Sequence, residues 1–347
     1  MLTPSLKYKL PPKFLDAIGK NKLAIYGYGF LGRWVWNFLH EHYYYEAPVY
    51  DQYEKPSPVG MTSHLAGLKD YDGIVIVCSR HHTVPVGGIF SEMRVSWISA
   101  DALFVDALLP YRQAIIERIS HDDFSVRTFL AIEKILTSGF MCERDHLVGD
   151  QYFEPVEFFP TFSESFVDAG AFCGDTLEQF MVKNLGTFTR YHAFEPGEGQ
   201  FNALTVRARR LRAEWNIPES KISLYRIGLG RYDSYLDFDD SSLDGMSHAF
   251  TKETVHEGGI EIKALDSYLQ DSPITFLKSD VEGMDLEFLM GAEQIIRRYR
   301  PKLAISCYHY PTDLIEILNY IVQLNLDYRF KLRHHANVIG DYVLYAY

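Results

Sequence analysis

The stretch Phe166-Val-Asp-Ala-Gly-Ala-Phe-Cys-Gly-Asp-Thr176 decides the fold of this chain. Its apolar run predicts a buried strand, its glycines predict a tight turn, and a helix is expected to begin near Asp175-Thr176. The free N–H groups at the start of such a helix favour a bound polar ligand. We therefore expect a nucleotide-binding turn formed by Asp168, Gly170, Ala171, Phe172, Gly174, Asp175 and Thr176.

A strand-end acid follows in Arg190-Tyr-His-Ala-Phe-Glu195. Glu195 lies 21 residues after Gly174, about the spacing at which a carboxylate reaches the ribose hydroxyls in dinucleotide sites. The turn spacing D-x-G-x-x-x-G differs from G-x-G-x-x-G and resembles the first motif of class I Rossmann-like methyltransferases. That resemblance implies S-adenosylmethionine as cofactor, and Glu195 is our candidate acceptor for its ribose hydroxyls.

Two later stretches carry a closer resemblance. The first is Phe276-Leu-Lys-Ser-Asp-Val-Glu-Gly-Met-Asp-Leu-Glu-Phe-Leu-Met-Gly-Ala292, and the second is Pro301-Lys-Leu-Ala-Ile-Ser-Cys-Tyr-His309 followed by Asp313-Leu314. In order and spacing they resemble the FkbM family of methyltransferases, whose members share D-x-E-G-x-E-x-x-x-L-x-G-A and K-P-x-L-x-I-x-x-Y-H. The resemblance extends from about Tyr152 to the C-terminus.

Two departures from the family pattern matter for the candidate site. Phe172 stands where many members carry Asn, and Asp285 stands where Glu is commoner. The first departure affects one expected cofactor contact. The resemblance implies methyl transfer to a hydroxyl of a sugar, nucleotide-sugar or glycosylated metabolite, and the acceptor class rests on the resemblance alone.

A cluster of ionisable residues is the candidate for the chemistry. Lys278, Asp280 and Glu282 alternate along an extended run, so we expect their side chains to share one face near His309. Methyl transfer is an in-line displacement that needs a positioned acceptor and a group to take its proton. We assign His309 or Asp280 as general base, Glu282 to orientation or acceptor binding, and Lys278 to electrostatic support. Asp280 is also a candidate cofactor contact, and the alternative is a structural ion-pair network.

A second glycine-rich turn lies near the start of the chain, in Leu23-Ala-Ile-Tyr-Gly-Tyr-Gly-Phe-Leu-Gly32, and Ala47-Pro-Val-Tyr-Asp51 follows it. The order strand, G-x-G-x-x-G, helix, strand and acid is typical of nucleotide sites. A second nucleotide or nucleotide-sugar site would use Gly27, Gly29, Gly32 and Asp51. The alternative is structural, because glycines also let a helix pack closely on a sheet.

The alternation of elements predicts an α/β protein in three parts. We expect a small parallel Rossmann-like domain over residues 1–105, a helical connector over 106–150, and a methyltransferase domain over 151–347. The last of these should contain a seven-stranded sheet with an antiparallel last strand. A polar insert in it carries Ser247 and His248, which we expect to contact the acceptor, because loops beside a strand-end site set specificity.

Composition excludes several classes of protein. The formal net charge of −12 argues against a nucleic-acid binder, which needs clustered cations. The four cysteines form no C-x-x-C pair, and we recognise no signal peptide or membrane-spanning run, so we expect a cytoplasmic protein. No recognised metal-ligand spacing occurs, and we expect no metal, although Asp280, Glu282 and His309 are of types that bind divalent ions.

Two other functions remain open at the level of sequence. The first is an NAD(P)-dependent oxidoreductase that uses the turn from Gly27 to Gly32. The second is a non-catalytic nucleotide-sugar-binding or scaffold protein that keeps the methyltransferase fold without turnover. The expected partner is a small, sugar-containing acceptor, and the sequence leaves a homo-oligomer open.

Overall fold

The structure is a computed structural model that describes residues 10–79, 82–105, 109–138, 144–238, 250–253, 259–269, 271–336 and 340–347. Its main elements are two β-sheets whose strands are mostly parallel, and helices cover the faces of each sheet. The N-terminal strands are β1 Leu23–Tyr26, β2 Val49–Asp51, β3 Pro56–Ser57, β4 Gly60–Met61, β5 Ser63–His64, β6 Ile74–Val77 and β7 Ser96–Ser99. The N-terminal helices are α1 Pro12–Gly19, α2 Phe30–Tyr43 and α3 Thr83–Glu92.

The first sheet has the strand order β5-β2-β1-β6-β7, and all of its strands are parallel. Because successive side chains point to opposite faces, β1 places Leu23 and Ile25 in one apolar core and Ala24 and Tyr26 in another. This arrangement confirms a parallel Rossmann-like sheet in the N-terminal part.

A helical segment follows, with α4 Arg112–Ile119 and α5 Asp123–Ser138. These helices pack on the second sheet, since Ile119 and Phe129 belong to the same core as the apolar residues of its strands. Polar contacts fix the packing: the Arg333 guanidinium donates to Asp122 at 2.7 Å, and the Leu332 N–H donates to Oγ of Ser125 at 2.9 Å.

The C-terminal strands are β8 Ser165–Ala169, β9 Arg190–Phe194, β10 Ile222–Tyr225, β11 Gly228–Leu229, β12 Ser234–Phe238, β13 Phe250–Glu253, β14 Ile260–Lys263, β15 Phe276–Ser279, β16 Lys302–Ser306, β17 Phe330–His334 and β18 Tyr342–Ala346. The helices among them are α6 Asp175–Lys183, α7 Glu198–Trp215, α8 Leu265–Tyr268, α9 Asp285–Gly291, α10 Glu293–Tyr299 and α11 Asp313–Gln323.

The second sheet has seven strands in the order β10-β9-β8-β15-β16-β18-β17. Strand β18 is antiparallel to both of its neighbours, and the other neighbouring pairs are parallel. The predicted seven-stranded sheet with an antiparallel last strand is confirmed. In addition, β11, β14, β12 and β13 form a small four-stranded sheet in that order.

The apolar periodicity of residues 284–298 predicts one continuous helix, and this prediction is wrong in one respect, because the structure has two helices there. Both oxygens of Asp266 accept hydrogen bonds from the backbone N–H groups of Gln294 and Ile295, at 2.8 and 2.9 Å. A carboxylate at this position satisfies the free donors of a new helix, so α10 begins separately from α9.

Membrane spans and cysteines were also considered at the level of sequence. No helix in the described ranges is long and apolar enough to cross a membrane. Cys78, Cys173 and Cys307, the cysteines that the structure describes, form no disulfide bond with one another.

Candidate active site

Four parallel neighbouring strands of the second sheet end at the same edge. Gly170, Glu195, Asp280 and His309 follow β8, β9, β15 and β16 respectively. Ligands of open α/β sheets lie beyond this carboxyl edge, and the strand order reverses direction around β8 and β15. The structure therefore brings these predicted site residues to one edge.

The turn after β8 is compact and depends on glycine. Gly170 has a φ of +74°, and a β-carbon there would lie 1.9 Å from the carbonyl oxygen of Asp280. The N–H groups of Gly170 and Ala171 both donate to the carbonyl of Phe194, at 3.0 and 2.9 Å. Phe172 adopts a φ of +45° within this turn. The turn is thus held against both neighbouring strand ends.

The turn leads directly into α6. Gly174 has a φ of +83°, and no side chain caps the helix that begins at Asp175. A β-carbon at Gly174 would lie 2.9 Å from Cδ1 of Leu204, so α6 and α7 approach closely here. Thr176 is buried in the first turn of α6. The start of α6 therefore presents backbone N–H groups at the site edge.

Glu195 lies beside this turn, as its spacing predicted. Its Oε2 accepts from the Phe172 N–H at 2.8 Å, and its Oε1 accepts from the Gly197 N–H at 2.8 Å. Burial raises the pKa of the carboxyl, while these two N–H groups oppose the rise. Each carboxylate oxygen has a second lone pair, so the oriented carboxylate keeps capacity to accept from ligand hydroxyls.

Asp168 and Lys278 form a buried ion pair beneath the turn. They are direct cross-strand neighbours, and Lys278 Nζ lies 2.9 Å from Oδ1 of Asp168. The same ammonium donates to the carbonyls of Gly170 at 2.6 Å and Ala169 at 3.2 Å. The Tyr191 hydroxyl donates to Oδ2 of Asp168 at 2.5 Å. Lys278 therefore supports the turn from below.

Asp280 accepts hydrogen bonds on both carboxylate oxygens. The Tyr152 hydroxyl donates to Oδ2 at 2.8 Å, and the Tyr308 hydroxyl donates to Oδ1 at 3.1 Å. His309 Nε2 lies 3.3 Å from Oδ1. Burial would raise the pKa of Asp280, but His309, Lys278 and Tyr152 outweigh it and hold the pKa well below its ordinary value. Asp280 is accordingly a stable anion.

His309 is enclosed by three carboxylates. Its Nδ1 lies 2.9 Å from Oδ2 of Asp285, and its Nε2 faces Asp280 at 3.3 Å and Glu282 at 3.7 Å. Burial alone would lower the pKa of His309, but these carboxylates outweigh it and raise the pKa well above 6.5. The imidazole is therefore expected to carry both of its protons at neutral pH.

Asp285 is the partner that fixes the imidazole. Its Oδ1 accepts from the Ser279 hydroxyl at 2.6 Å and from the Val281 N–H at 3.3 Å. The side chain is 1% exposed. Its rigid, buried carboxylate leaves Oδ2 directed at His309.

Glu282 differs from the other two carboxylates facing the imidazole. Its side chain is 34% exposed, and its backbone has a φ of +53° in the turn after β15. Burial raises the pKa of Glu282 to about 7, with contributions from Asp280, Asp285 and Glu195, while His309 opposes the rise. This carboxyl thus exchanges its proton near neutral pH.

Other predicted contacts have different outcomes. Asp175 begins α6, and its Oδ1 lies 3.8 Å from Sγ of Cys173. Ser247 and His248 lie outside the described residues. In the part of the chain that the structure describes, no group of three or more His, Cys, Asp or Glu side chains is arranged to hold a metal ion.

The N-terminal turn is built in the same way as the turn after β8. Oδ2 of Asp51 accepts from the Tyr28 N–H at 2.7 Å, and Oδ1 accepts from the Tyr53 N–H at 3.0 Å. Gly27 has a φ of +90°, and a β-carbon at Gly32 would lie 1.9 Å from the Gly27 carbonyl oxygen. Gly29, which precedes α2, has open space around a β-carbon position. The predicted glycine and acid positions therefore meet here as well.

Sequence reasoning missed three residues of the site. Tyr152 lies before the recognised motifs, Tyr308 is recognisable only as the neighbour of His309, and Asp285 stands out only as a departure from the commoner Glu. For Asp285 the sequence does contain a signal, since this acid stands five residues after the strand-end acid Asp280, where the next helix begins. Tyr152 reaches Asp280 from far along the chain, so no local pattern reports it.

The chain is similar to known methyltransferases. Residues 168–330 match the family model described as Methyltransferase FkbM domain. Methyltransferase FkbM from Methylobacillus flagellatus KT has 22% sequence identity and a TM-score of 0.59, over 97% of this chain and 94% of that chain. The likeness covers nearly all of both chains and shows a shared fold.

Two further solved structures match over about half of this chain. An rRNA methylase from Streptococcus thermophilus has 19% identity and a TM-score of 0.32, over 53% of this chain and 85% of that chain. Aeropyrum pernix fibrillarin, in complex with natively bound S-adenosyl-L-methionine, has 12% identity and a TM-score of 0.33, over 54% of this chain and 69% of that chain. No curated protein matches the chain.

Proposed function

Because residues 168–330 form a methyltransferase FkbM domain, we propose that this chain transfers a methyl group from S-adenosylmethionine to a hydroxyl oxygen of a sugar-containing small molecule. The observation that carries the proposal is the meeting of Glu195 with the cluster of Asp280, Glu282 and His309 at one sheet edge. A donor-binding carboxylate and a proton-accepting group are the two elements that this reaction needs.

The residues at the edge fit the cofactor. Glu195 would accept from the ribose hydroxyls, because its two oxygens are oriented by Phe172 and Gly197 and retain lone pairs. The Gly170 turn would border the amino acid portion of S-adenosylmethionine, because glycine has no β-carbon that would block this approach. The anionic Asp280 suits a neighbouring cation. The cofactor, when bound, supplies an electrophilic methyl group on a positively charged sulfur.

The proton of the acceptor hydroxyl needs a group with a free lone pair. His309 faces carboxylates at both nitrogens, and a doubly protonated imidazole has no acceptor lone pair. Asp280 has a lowered pKa and is a weak base. Glu282 is partly exposed and has a pKa of about 7, close to the value that suits a general base.

These contacts favour Glu282 as the general base. Sequence reasoning gave that role to His309 or Asp280, and the geometry favours other roles for them. In the present proposal His309 orients the carboxylates of Asp280 and Glu282 and stabilises their negative charge. Lys278 keeps the Gly170 turn in place rather than touching the acceptor, since its ammonium contacts Asp168 and two turn carbonyls.

Calorimetric titration with S-adenosylhomocysteine tests the cofactor assignment. We expect saturable binding at one site per chain, and a loss of affinity of at least tenfold in Glu195→Ala. Asp51→Ala is the matched control, because Asp51 accepts two backbone N–H bonds in the same pattern at the N-terminal turn. Equal affinity in the wild type and Glu195→Ala would contradict the placement of the cofactor.

Methyl transfer to a panel of nucleotide-sugars tests the acceptor class, with incorporation of a labelled methyl group as the readout. Donor binding without transfer to any hydroxyl acceptor would favour the scaffold alternative. Absence of donor binding together with saturable binding of NAD(P)⁺, lost in Asp51→Ala, would favour the oxidoreductase alternative.

A further inference from the structure

Phe30 links the N-terminal sheet to the edge that carries Glu282. It is the first residue of α2, and its ring centroid lies 5.1 Å from that of Tyr310, the residue after His309. A β-carbon at Gly283 would lie 3.1 Å from Cζ of Phe30. The N-terminal part of the chain therefore contacts the turn that bears the proposed general base.

Tyr310 closes the other side of Gly283. A β-carbon at Gly283 would lie 2.7 Å from Cε2 of Tyr310, so a side chain at this position cannot fit without displacing a ring. Trp34, one turn along α2, stacks at a tilt on Tyr310 with ring centroids 5.3 Å apart. We call the rings of Phe30 and Tyr310 the aromatic clamp.

The enclosed turn has an uncommon backbone. Glu282 has a φ of +53° and Gly283 has a φ of +93°. A non-glycine residue in the left-handed region costs about 1 kcal/mol or more, and it persists where surrounding structure holds it. The aromatic clamp fills the space where a β-carbon of Gly283 would lie, next to the residue that carries this strain.

The N-terminal glycines bring Phe30 to this position. Because a β-carbon at Gly32 would meet the Gly27 carbonyl oxygen at 1.9 Å, only glycine lets α2 lie so close to the end of β1. Phe30 then stands at the carboxyl edge of the first sheet, facing the second. This role uses the G-x-G-x-x-G turn without requiring a ligand there.

We propose that Phe30 is a positioning residue of the methyl-transfer site, and that the aromatic clamp holds the Glu282–Gly283 turn in the conformation that directs Glu282 at the acceptor. The part concerning turnover rests on the proposed function. Phe30 is half-buried, and Glu282 is about one-third exposed. Glu195, the proposed donor-binding carboxylate, follows β9 and Glu282 follows β15, so we expect donor binding to depend much less on the aromatic clamp than the Glu282 turn does.

Hydrogen–deuterium exchange in the absence of ligand tests the clamp. We would follow peptides covering residues 280–290 in the wild type, Phe30→Ala and Phe30→Tyr. Phe90→Leu is the matched control, because Phe90 is fully buried in the other core of the N-terminal sheet, against Tyr26. Affinity for S-adenosylhomocysteine is measured on the same samples.

We expect Phe30→Ala to speed exchange in this peptide at least tenfold and to change donor affinity less than threefold. Phe30→Tyr, which keeps the ring, should restore slow exchange, and Phe90→Leu should leave this peptide unchanged. Tyr310→Leu removes the other ring and should act like Phe30→Ala, so it decides the matter if Phe30→Ala does not fold. Unchanged exchange in Phe30→Ala would overturn the proposal.

Turnover adds a second readout with any acceptor that accepts methyl. Phe30→Ala should lower kcat about tenfold or more and leave the KM for the donor nearly unchanged, with recovery in Phe30→Tyr. Because the exchange experiment needs no turnover, failure of the proposed function and failure of the aromatic clamp give different results.

Discussion

Oδ2 of Asp285 lies 2.9 Å from Nδ1 of His309, and the Asp285 carboxylate is itself fixed by Ser279 and the Val281 N–H. A buried, hydrogen-bonded carboxylate of this kind sets both the orientation and the charge of an imidazole. The family resemblance marked Asp285 as a departure, whereas the structure makes it the closest carboxylate partner of His309 among the ion pairs described.

Asp285→Asn should lower the pKa of His309, because the nearest negative charge is removed. We expect kcat to fall about 100-fold, in the range typical of misplaced acid–base groups, with little change in donor affinity. NMR titration of the His309 ring and steady-state kinetics would measure the two effects. Asp266→Asn is the control, since Asp266 accepts two backbone N–H bonds at α10. A wild-type kcat in Asp285→Asn would contradict this role.

Glu282 should make folding stability depend on pH. Its pKa is raised in the folded state from 4.5 to about 7, so the folded protein binds this proton more tightly than the unfolded chain. Its contribution is fully present below about pH 4.5 and is lost as pH rises through 7. Glu282→Gln should therefore reduce the loss between pH 5 and pH 8 by about 1–2 kcal/mol, allowing for solvent screening. Urea unfolding at both pH values measures this, and identical pH profiles would refute it.

The same proton should control turnover in the opposite sense. A general base acts when deprotonated, so kcat should rise with pH through about 7, where Glu282 loses its proton. Glu282→Gln should lower kcat about 100-fold or more and abolish this rise. Rate measurements from pH 5.5 to 8.5 on both proteins provide the comparison, and a wild-type rise retained in Glu282→Gln would assign the base elsewhere.

Lys278→Met should destabilise the fold by about 3–5 kcal/mol, because it leaves the buried Asp168 carboxylate without its cation. Adding Asp168→Asn should recover part of the loss, since the uncompensated charge is removed. Lys20→Met is the control, because Lys20 and Asp16 form an exposed pair that should contribute at most about 1 kcal/mol. Chemical denaturation of the wild type and these three variants gives their free energies of unfolding. A loss in Lys278→Met as small as that in Lys20→Met would contradict the assignment.

Gly170→Ala should weaken donor binding and destabilise the fold by about 2–5 kcal/mol. A β-carbon there combines a left-handed φ of +74° with a contact of 1.9 Å to the Asp280 carbonyl oxygen. Gly199→Ala is the control, since nothing lies within 4 Å of a β-carbon in that helical position. It should be neutral or stabilising by about 0.5 kcal/mol. Calorimetry and thermal unfolding measure both effects, and equal stability in the two variants would contradict this prediction.

The fold was predictable because the elements of each sheet have recognisable local sequence patterns. Apolar strands, glycine turns and strand-end acids at Asp51 and Glu195 are contiguous patterns, and both sheets formed as expected. The break between α9 and α10 was not predictable, because Asp266 begins α10 from a distant segment. Periodicity alone continues through Ala292.

For the candidate site, the sequence predicted which side chains lie close together better than it predicted their contacts. The alternation of side chains along a strand predicted that Lys278 and Asp280 share one face, and in the structure both side chains lie near Tyr152. This alternation does not predict that the Lys278 ammonium pairs with Asp168 and donates to two turn carbonyls. Nor does it predict that two tyrosine hydroxyls donate hydrogen bonds to Asp280. Phe30 and Tyr310 are far apart in the sequence, so no local sequence pattern predicts the contact between their rings.

The aromatic clamp also has a consequence for the order of folding. During synthesis α2 leaves the ribosome well before Tyr310 and the strands around it have been made. Closing so long a loop is entropically costly and slow compared with forming local helices and turns. We therefore expect the glycine turn of the first sheet to exist well before its aromatic partner arrives. The turn that carries Glu282 would be among the last parts of the nascent protein to reach its native conformation.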